Sequence, residues 1–105
     1  MEENRVAKEL TSSQRAYLRS LANNIIDGPY IGKEGLTDSV IAQADSDLEA
    51  HELIKCVVLK NCSDDIRELE HKLAKALYAS EVQVIGRKFV LYREARRKPK
   101  IKLGD

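Results

Sequence analysis

Apolar and polar residues recur along the chain with two different spacings, which together predict seven elements of secondary structure. Three stretches repeat apolar residues every three or four positions, as amphipathic helices do. Their predicted caps are Thr11, Thr37 and Ser63. Their predicted buried stripes are Tyr17, Leu18, Leu21, Ala22 and Ile25; Val40, Ile41, Ala44 and Leu48; and Ile66, Leu69, Leu73, Ala76 and Leu77.

Four shorter apolar stretches predict β-strands. They are Pro29–Ile31, Leu53–Leu59, Glu81–Ile85 and Lys88–Tyr92. The last two flank Gly86-Arg87, and glycine at the first position of a two-residue loop suits a type II′ hairpin. The predicted order is therefore α-β-α-β-α-β-β.

This order predicts an α/β fold of two to three layers built on a four-stranded mixed sheet. Right-handed crossovers would place the second and third helices on one face of the sheet. The strand Leu53–Leu59 shows little alternation, which indicates burial on both faces. The first helix is therefore expected to cover the opposite face.

Length and composition indicate one soluble domain with a charged exterior. The chain has 105 residues, of which 43% are hydrophobic and 33% are charged. It contains no apolar run near the roughly 18 residues of a membrane span, and it opens without the pattern of a signal peptide, so a cytoplasmic location is expected. The expected division is a flexible N-terminus over residues 1–9, a domain over 10–95 and a basic C-terminal segment over 96–105.

The few residues that could carry catalysis or bind a metal are scattered. Cys56 is expected to be a packed, reduced side chain, and the spacing of Cys56 and Cys62 does not match a zinc site. His51 and His71 are expected to be structural or solvated. No catalytic residue, metal site or cofactor is predicted.

The net charge of +1 conceals a strong asymmetry. From residue 87 to residue 105 there are eight basic and two acidic residues, a net charge of +6, whereas the first 86 residues carry −5. A basic end on an acidic body predicts a directed electrostatic surface.

A glycine loop, Gly32-Lys33-Glu34-Gly35, separates the first predicted strand from the second helix. Glycines let a ligand approach the backbone closely, and they permit turns that point consecutive N–H groups outward. The following helix adds unsatisfied N–H donors, and Lys33 adds a full charge. An ordinary turn also favours glycine, so the loop by itself leaves phosphate binding and simple chain reversal both open.

Four segments in the same order resemble the CRM domain (chloroplast RNA splicing and ribosome maturation), in particular its stand-alone bacterial YhbY-type members. These segments are 10–22, 31–36, 51–55 and 83–93. The resemblance implies a KH-like G-x-x-G loop on a fold similar to the C-terminal domain of translation initiation factor three. It also implies RNA binding and association with precursors of the large ribosomal subunit.

The resemblance assigns RNA-binding positions residue by residue. Gly32, Lys33 and Gly35 would form a backbone clamp, with Glu34 where a stronger clamp would carry a second cation. The flanking cations would be Arg15 and Arg19 on one helix face and Arg87, Lys88 and Arg93 on the hairpin. The expected partners are a large-subunit rRNA precursor and the pre-ribosomal particle, bound by a monomer away from membranes.

Two other function classes remain open. The acidic outer faces of the second and third helices could dock a basic ribosomal protein, which would make the chain a protein-interaction module. An enzyme could use the glycine loop as a nucleotide cradle. However, the sequence lacks the Walker-type lysine and hydroxyl spacing and has no nucleophile with a base.

Overall fold

The computed structural model describes residues 6–104, and its elements follow the predicted order. They are α1 (Ser12–Ala22), β1 (Asp27–Ile31), α2 (Asp38–His51), β2 (Leu53–Val58), α3 (Ile66–Leu77), β3 (Ser80–Ile85) and β4 (Lys88–Tyr92). Of the predicted flexible N-terminus, residues 1–5 lie outside the described residues, as does Asp105 of the C-terminal segment. No helix in the described part of the chain is long and apolar enough to cross a membrane.

The four strands form one mixed sheet in the order β1-β2-β4-β3. β1 pairs with β2 in parallel, and β4 pairs antiparallel with both β2 and β3. In the hairpin turn, Gly86 has a φ of +59°, and the φ of Arg87 is not positive. These values agree with the predicted type II′ turn. β2 and β4 are central, and β1 and β3 are the two edges.

Helix caps explain where the helices begin. Thr11 and Gln14 form the predicted capping box, and Thr37 accepts a hydrogen bond from the amide of Val40 at 3.1 Å. The prediction for α3 is wrong: its cap is Asp65 and not Ser63. Asp65 has an extended backbone, and its carboxylate accepts from the amide of Glu68 at 3.1 Å, so the two residues before it belong to the connecting loop.

Separate cores lie on the two faces of the sheet, as predicted. α2 and α3 pack on one face, where Leu48, Leu73 and Phe89 are fully buried. α1 packs on the other face through Leu18, which is also fully buried. Two members of the predicted stripes are exposed instead, Tyr17 and Ala76, and Ala74 takes the buried position on α3.

Glu52 attaches the C-terminal segment to the domain. Glu52 is fully buried, and its left-handed backbone, with a φ of +67°, ends α2. Its carboxylate accepts from the amides of Ala95, Lys100 and Ile101 at 2.6 to 2.7 Å. Ile101 packs against the core under α1, so the chain beyond β4 is folded back onto the domain.

Replacing Glu52 with Gln should lower the free energy of unfolding by about 1–3 kcal/mol, because the amide group would turn an N–H₂ donor toward at least one buried backbone N–H. Urea denaturation measures this loss, and amide exchange should show reduced protection at Lys100 and Ile101. Glu94→Gln, an exposed change in the same segment, is the matched control. Equal stability of the two variants would contradict the role given to Glu52.

Candidate nucleic-acid interface

Three loops meet at one end of the sheet, which we call the loop end: residues 32–37, residues 59–65 and the turn 86–87. The amide of Leu59 donates to the carbonyl of Ile31 at 2.8 Å, and the amide of Val58 donates to the carbonyl of Arg87 at 2.7 Å. Because β1 and β2 are parallel, their carboxyl ends and the loops that follow them lie side by side. These hydrogen bonds fix the segments beside the glycine loop and so hold the loop in place.

The glycine loop is a tight turn with an exposed tip. The amide of Gly35 donates to the carbonyl of Gly32 at 3.0 Å, and Gly35 has a φ of +70°. Lys33 and Glu34 form the exposed tip. Within residues 6–104, neither their amides nor their side chains have a hydrogen-bond or ion-pair partner. Of the predicted outward amides, that of Gly35 is therefore used inside the turn, while the two at the tip remain open to a ligand.

The two glycines have different reasons for lacking a side chain. A Cβ atom on Gly35 would lie 2.8 Å from Oδ2 of Asp64, whereas one on Gly32 would lie 3.7 Å from its nearest neighbours. Gly35 is thus favoured mainly by its φ of +70°, since the exposed Asp64 side chain can move, and Gly32 keeps space open beside the tip. The Asp64 carboxylate and Glu34 also place negative charge near the loop, which moderates its attraction for an anion.

Lys33 and Lys60 are the exposed cations of the loop end that no partner neutralises among the described residues. Lys60 was not among the predicted site residues. Its position could nevertheless have been predicted from the sequence, because Lys60 comes just after β2 and the loops after two parallel neighbouring strands meet at one end of the sheet.

Arg87 lies at the loop end but is occupied by the fold. Its guanidinium donates to the carbonyls of Val58 at 3.0 Å, Leu59 at 2.8 Å and Cys62 at 3.3 Å. These bonds satisfy the carbonyl groups at the end of β2 and in the loop that follows it. Arg87 therefore fixes the shape of the loop end while contributing positive charge to it.

Lys88 is similarly engaged, since its ammonium group lies 2.7 Å from Oδ2 of Asp27. Lys55 lies 3.8 Å from the other oxygen of Asp27 and donates to the carbonyl of Ala22. Lys88 remains 40% exposed, so it can contribute to the surface potential but is partly neutralised.

The structure does not bring Arg93 to the loop end. It lies past the opposite end of β4, and its side chain is only 6% exposed. Its guanidinium donates to Oδ1 of Asp45 at 2.7 Å and to the carbonyl of Leu77 at 3.1 Å. This corrects the hairpin assignment, because a buried guanidinium that ties α2 to α3 is not available to RNA.

Arg15 and Arg19 form a second basic group with Arg67, along the β3 edge of the sheet. The three side chains line an open cleft of about 550 Å³ together with Glu70 and Glu81. Sequence reasoning missed Arg67, which reaches this edge from the first turn of α3. The predicted site is therefore divided between the loop end and the β3 edge.

Beneath these arginines lies a buried acid, Glu70, which is 4% exposed. Burial and the neighbouring carboxylate of Glu81 raise the pKa of Glu70 from 4.5 to about 7, against the opposing effect of Arg67 and Arg15. The cleft thus becomes more negative as the pH rises through neutrality.

Cys56 is packed in the core, fully buried as predicted. Burial, with smaller contributions from Asp47 and Glu70, raises the pKa of its thiol to about 12. A thiol that remains protonated at neutral pH is a poor nucleophile.

An α/β domain with an open glycine turn and flanking cations is suited to hold the backbone of a polyanion. Comparison with known proteins identifies the family: the CRS1 / YhbY (CRM) domain matches residues 10–93, and the chain belongs to this family of RNA-binding domains.

Relatives span nearly the whole chain. The probable RNA-binding protein YqeI of Bacillus subtilis is 39% identical over 94 residues, which cover 90% of this chain and 98% of the relative. An RNA-binding protein of Haemophilus influenzae is 32% identical, with 80% and 85% covered. The solution structure of the hypothetical protein SAV1595 of Staphylococcus aureus, described as a candidate RNA-binding protein, has a TM-score of 0.77 at 46% identity and covers 91% of this chain and 100% of that one.

Replacing Gly35 with Ala should cost about 1–2 kcal/mol of stability, because an L side chain is strained at a φ of +70° and meets Asp64. Gly32→Ala is the matched control and should cost well under half as much, since it meets only ordinary contacts. Urea denaturation of the two variants tests this difference. Equal losses would contradict the division of roles between the glycines.

Replacing Glu70 with Gln should change how stability depends on pH. The folded chain holds the Glu70 proton more tightly than the unfolded chain, so the stability from this group is present below its unfolded pKa of 4.5 and is lost as the pH rises through about 7. Gln cannot ionise. The free energy of unfolding of the Gln variant, relative to that of the wild type, should therefore rise by roughly 1–3 kcal/mol between pH 5 and pH 8. A constant difference would contradict the raised pKa.

Proposed function

We propose that this protein is a non-catalytic RNA-binding protein that binds ribosomal RNA in precursors of the large ribosomal subunit, acting as a cytoplasmic monomer. The observation that carries the proposal is the glycine loop, whose tip presents Lys33 and two unpaired amides on a fixed turn. The names of the relatives support RNA as the ligand. The resemblance to YhbY-type proteins supports the ribosomal particle as its setting.

In this proposal the tip binds the sugar-phosphate backbone directly. A phosphate oxygen accepts from the amides of Lys33 and Glu34, while the ammonium groups of Lys33 and Lys60 neutralise the charge of adjacent phosphates. Gly32 carries no side chain, so the backbone of the RNA can approach closely. Arg87 holds the neighbouring loop in place and raises the local potential.

The β3 edge extends the contact area. Arg19 is exposed and has no partner among the described residues, and Arg15 donates only one long hydrogen bond of 3.5 Å to the carbonyl of Glu81. Both can reach phosphates of a folded RNA. Phosphate contacts position a protein without reading bases, so selectivity would come from the shape of the RNA and its unpaired segments.

The alternative of a protein-docking module is weakened by the internal use of the acidic face of α2. Asp45 lies 2.7 Å from the guanidinium of Arg93, and Glu49 lies 3.8 Å from it. These two acids are partly neutralised within the domain and have less charge to offer a basic protein.

Combined Lys33→Gln and Lys60→Gln should weaken binding to single-stranded RNA about tenfold at moderate salt. It should also flatten the slope of log affinity against log salt by roughly 1.4, since each phosphate contact contributes about 0.7. Fluorescence anisotropy over a salt series measures both. Lys72→Gln with Lys75→Gln, on the exposed face of α3, removes the same charge elsewhere and is the control.

An equal effect of the two double variants would mean that only net charge matters, which would contradict a site at the loop end. The ribosomal part of the proposal is tested separately, by crosslinking in cells followed by sequencing of the bound RNA. Crosslinks confined to messenger RNA would overturn it.

A further inference from the structure

The basic C-terminal segment lies at the end of the sheet opposite to the glycine loop, which we call the tail end. Its amides bind Glu52, the residue directly before β2, whereas the glycine loop lies beside the residue after β2. β2 has six residues. At about 3.3 Å per residue, the two ends are roughly 20 Å apart, so the two basic groups would contact different phosphates.

The segment is held in a definite shape. A fully buried carboxylate is costly unless it is well bonded, and that of Glu52 accepts three backbone amides. The ammonium group of Lys100 also donates to the carbonyl of Ala50 at 3.2 Å. The bend over residues 96–98 is thereby fixed, with exposed side chains. A purely solubilising tail would not need this anchoring.

Exposed cations outnumber acids at the tail end. Its acids are Asp45 and Glu49, which are engaged by Arg93, the buried Glu52, whose carboxylate accepts three backbone amides, and the exposed Glu94. Against them stand the exposed cations Lys8, Arg96, Arg97, Lys98, Lys100 and Lys102. Arg97 and Lys98, at the bend, have no hydrogen-bond or ion-pair partner within residues 6–104.

A cleft of about 430 Å³ adjoins the bend. It is lined by Lys8, Tyr78, Ser80, Arg96 and Pro99, among others. Tyr78 is 46% exposed, and its left-handed backbone, with a φ of +57°, ends α3. An aromatic face beside cations is the combination that binds an unpaired base and its phosphate.

We propose that the tail end is a second RNA-binding surface, independent of the loop end, so that one copy of the domain holds two RNA segments together. Arg97 and Lys98 contact the phosphates, and Tyr78 stacks on an unpaired base. This inference rests on the proposed function at the loop end and adds a bridging role to it.

The experiment uses the full chain and two non-pairing oligouridine RNAs, one biotinylated and bound to beads and one fluorescent. The wild type should retain the fluorescent RNA on the beads, and native mass spectrometry should show one protein with two RNAs. Arg97→Gln with Lys98→Gln, and separately Lys33→Gln with Lys60→Gln, should each lower the two-RNA complex and the retention about tenfold, in favour of a complex with one RNA.

Base stacking is tested with Tyr78 in the loop-end double variant, where only the tail end remains. Tyr78→Ala should weaken the remaining binding about tenfold, whereas Tyr78→Phe should retain it, because phenylalanine keeps the aromatic face. Thermal unfolding of each variant shows whether the fold is retained. If Tyr78→Ala is destabilised, Arg97→Gln with Lys98→Gln in the same background decides the outcome.

The outcomes separate the two proposals. A wild-type complex with one RNA, lost only in the loop-end variant, would overturn the second surface and leave the proposed function standing. An absence of RNA binding by the wild type would overturn both. Two RNAs joined only through a protein dimer would also overturn bridging by one domain. Tail-end variants that lose binding to an acidic peptide, while RNA bridging is unchanged, would assign this surface to protein.

Discussion

The parallel pairing of β1 with β2 is the constraint on which the site depends. It places the glycine loop beside the loop that follows β2, and the hydrogen bond from Leu59 to Ile31 joins the two where the strands end. Arg87 then fixes the second loop by donating to its carbonyls. A short, exposed turn can bind a polyanion with little loss of conformational entropy only if its base is held in this way.

Buried charged groups organise the rest of the domain. Arg93 ties α2 to the end of α3, and Glu52 folds the C-terminal segment back beside the start of β2. Both carboxylate oxygens of Glu52 accept backbone amides, and the two terminal nitrogens of Arg93 donate to Asp45 and to the carbonyl of Leu77, while its buried Nε has no partner among the described residues. These bonds offset much of the cost of burial. As a result, cations that are near neighbours in sequence have different roles: Arg93 supports the fold, while Arg97 lies exposed a few residues later.

Local signals in the sequence predicted most of the fold. The capping residue Thr11, the hairpin glycine Gly86 and the unbroken apolar strand that became β2 each act over a few residues, and the structure confirms all three. The cap of α3 was misplaced because Ser63, Asp64 and Asp65 are all good caps. In the structure Ser63 and Asp64 lie in the loop between β2 and α3, and Asp65 caps the helix.

The site was less predictable, because it depends on which cations remain unpaired. A basic residue on a hairpin reads the same in sequence whether it faces solvent, as Lys88 partly does, or is buried against acids, as Arg93 is. The acids that engage Arg93 lie more than forty residues earlier, on α2. Arg67 was missed for the converse reason, since only the packing of α3 against the sheet brings it to the β3 edge, whereas Lys60 could have been found from its place just after β2.

The most direct test of the central claim is an amide chemical-shift titration of the isotope-labelled chain with short single-stranded RNA. The account predicts that the largest shifts fall on Lys33 and Glu34 at the open tip, with accompanying shifts at Lys60. Large shifts elsewhere, with the glycine loop unchanged at saturating RNA, would contradict it.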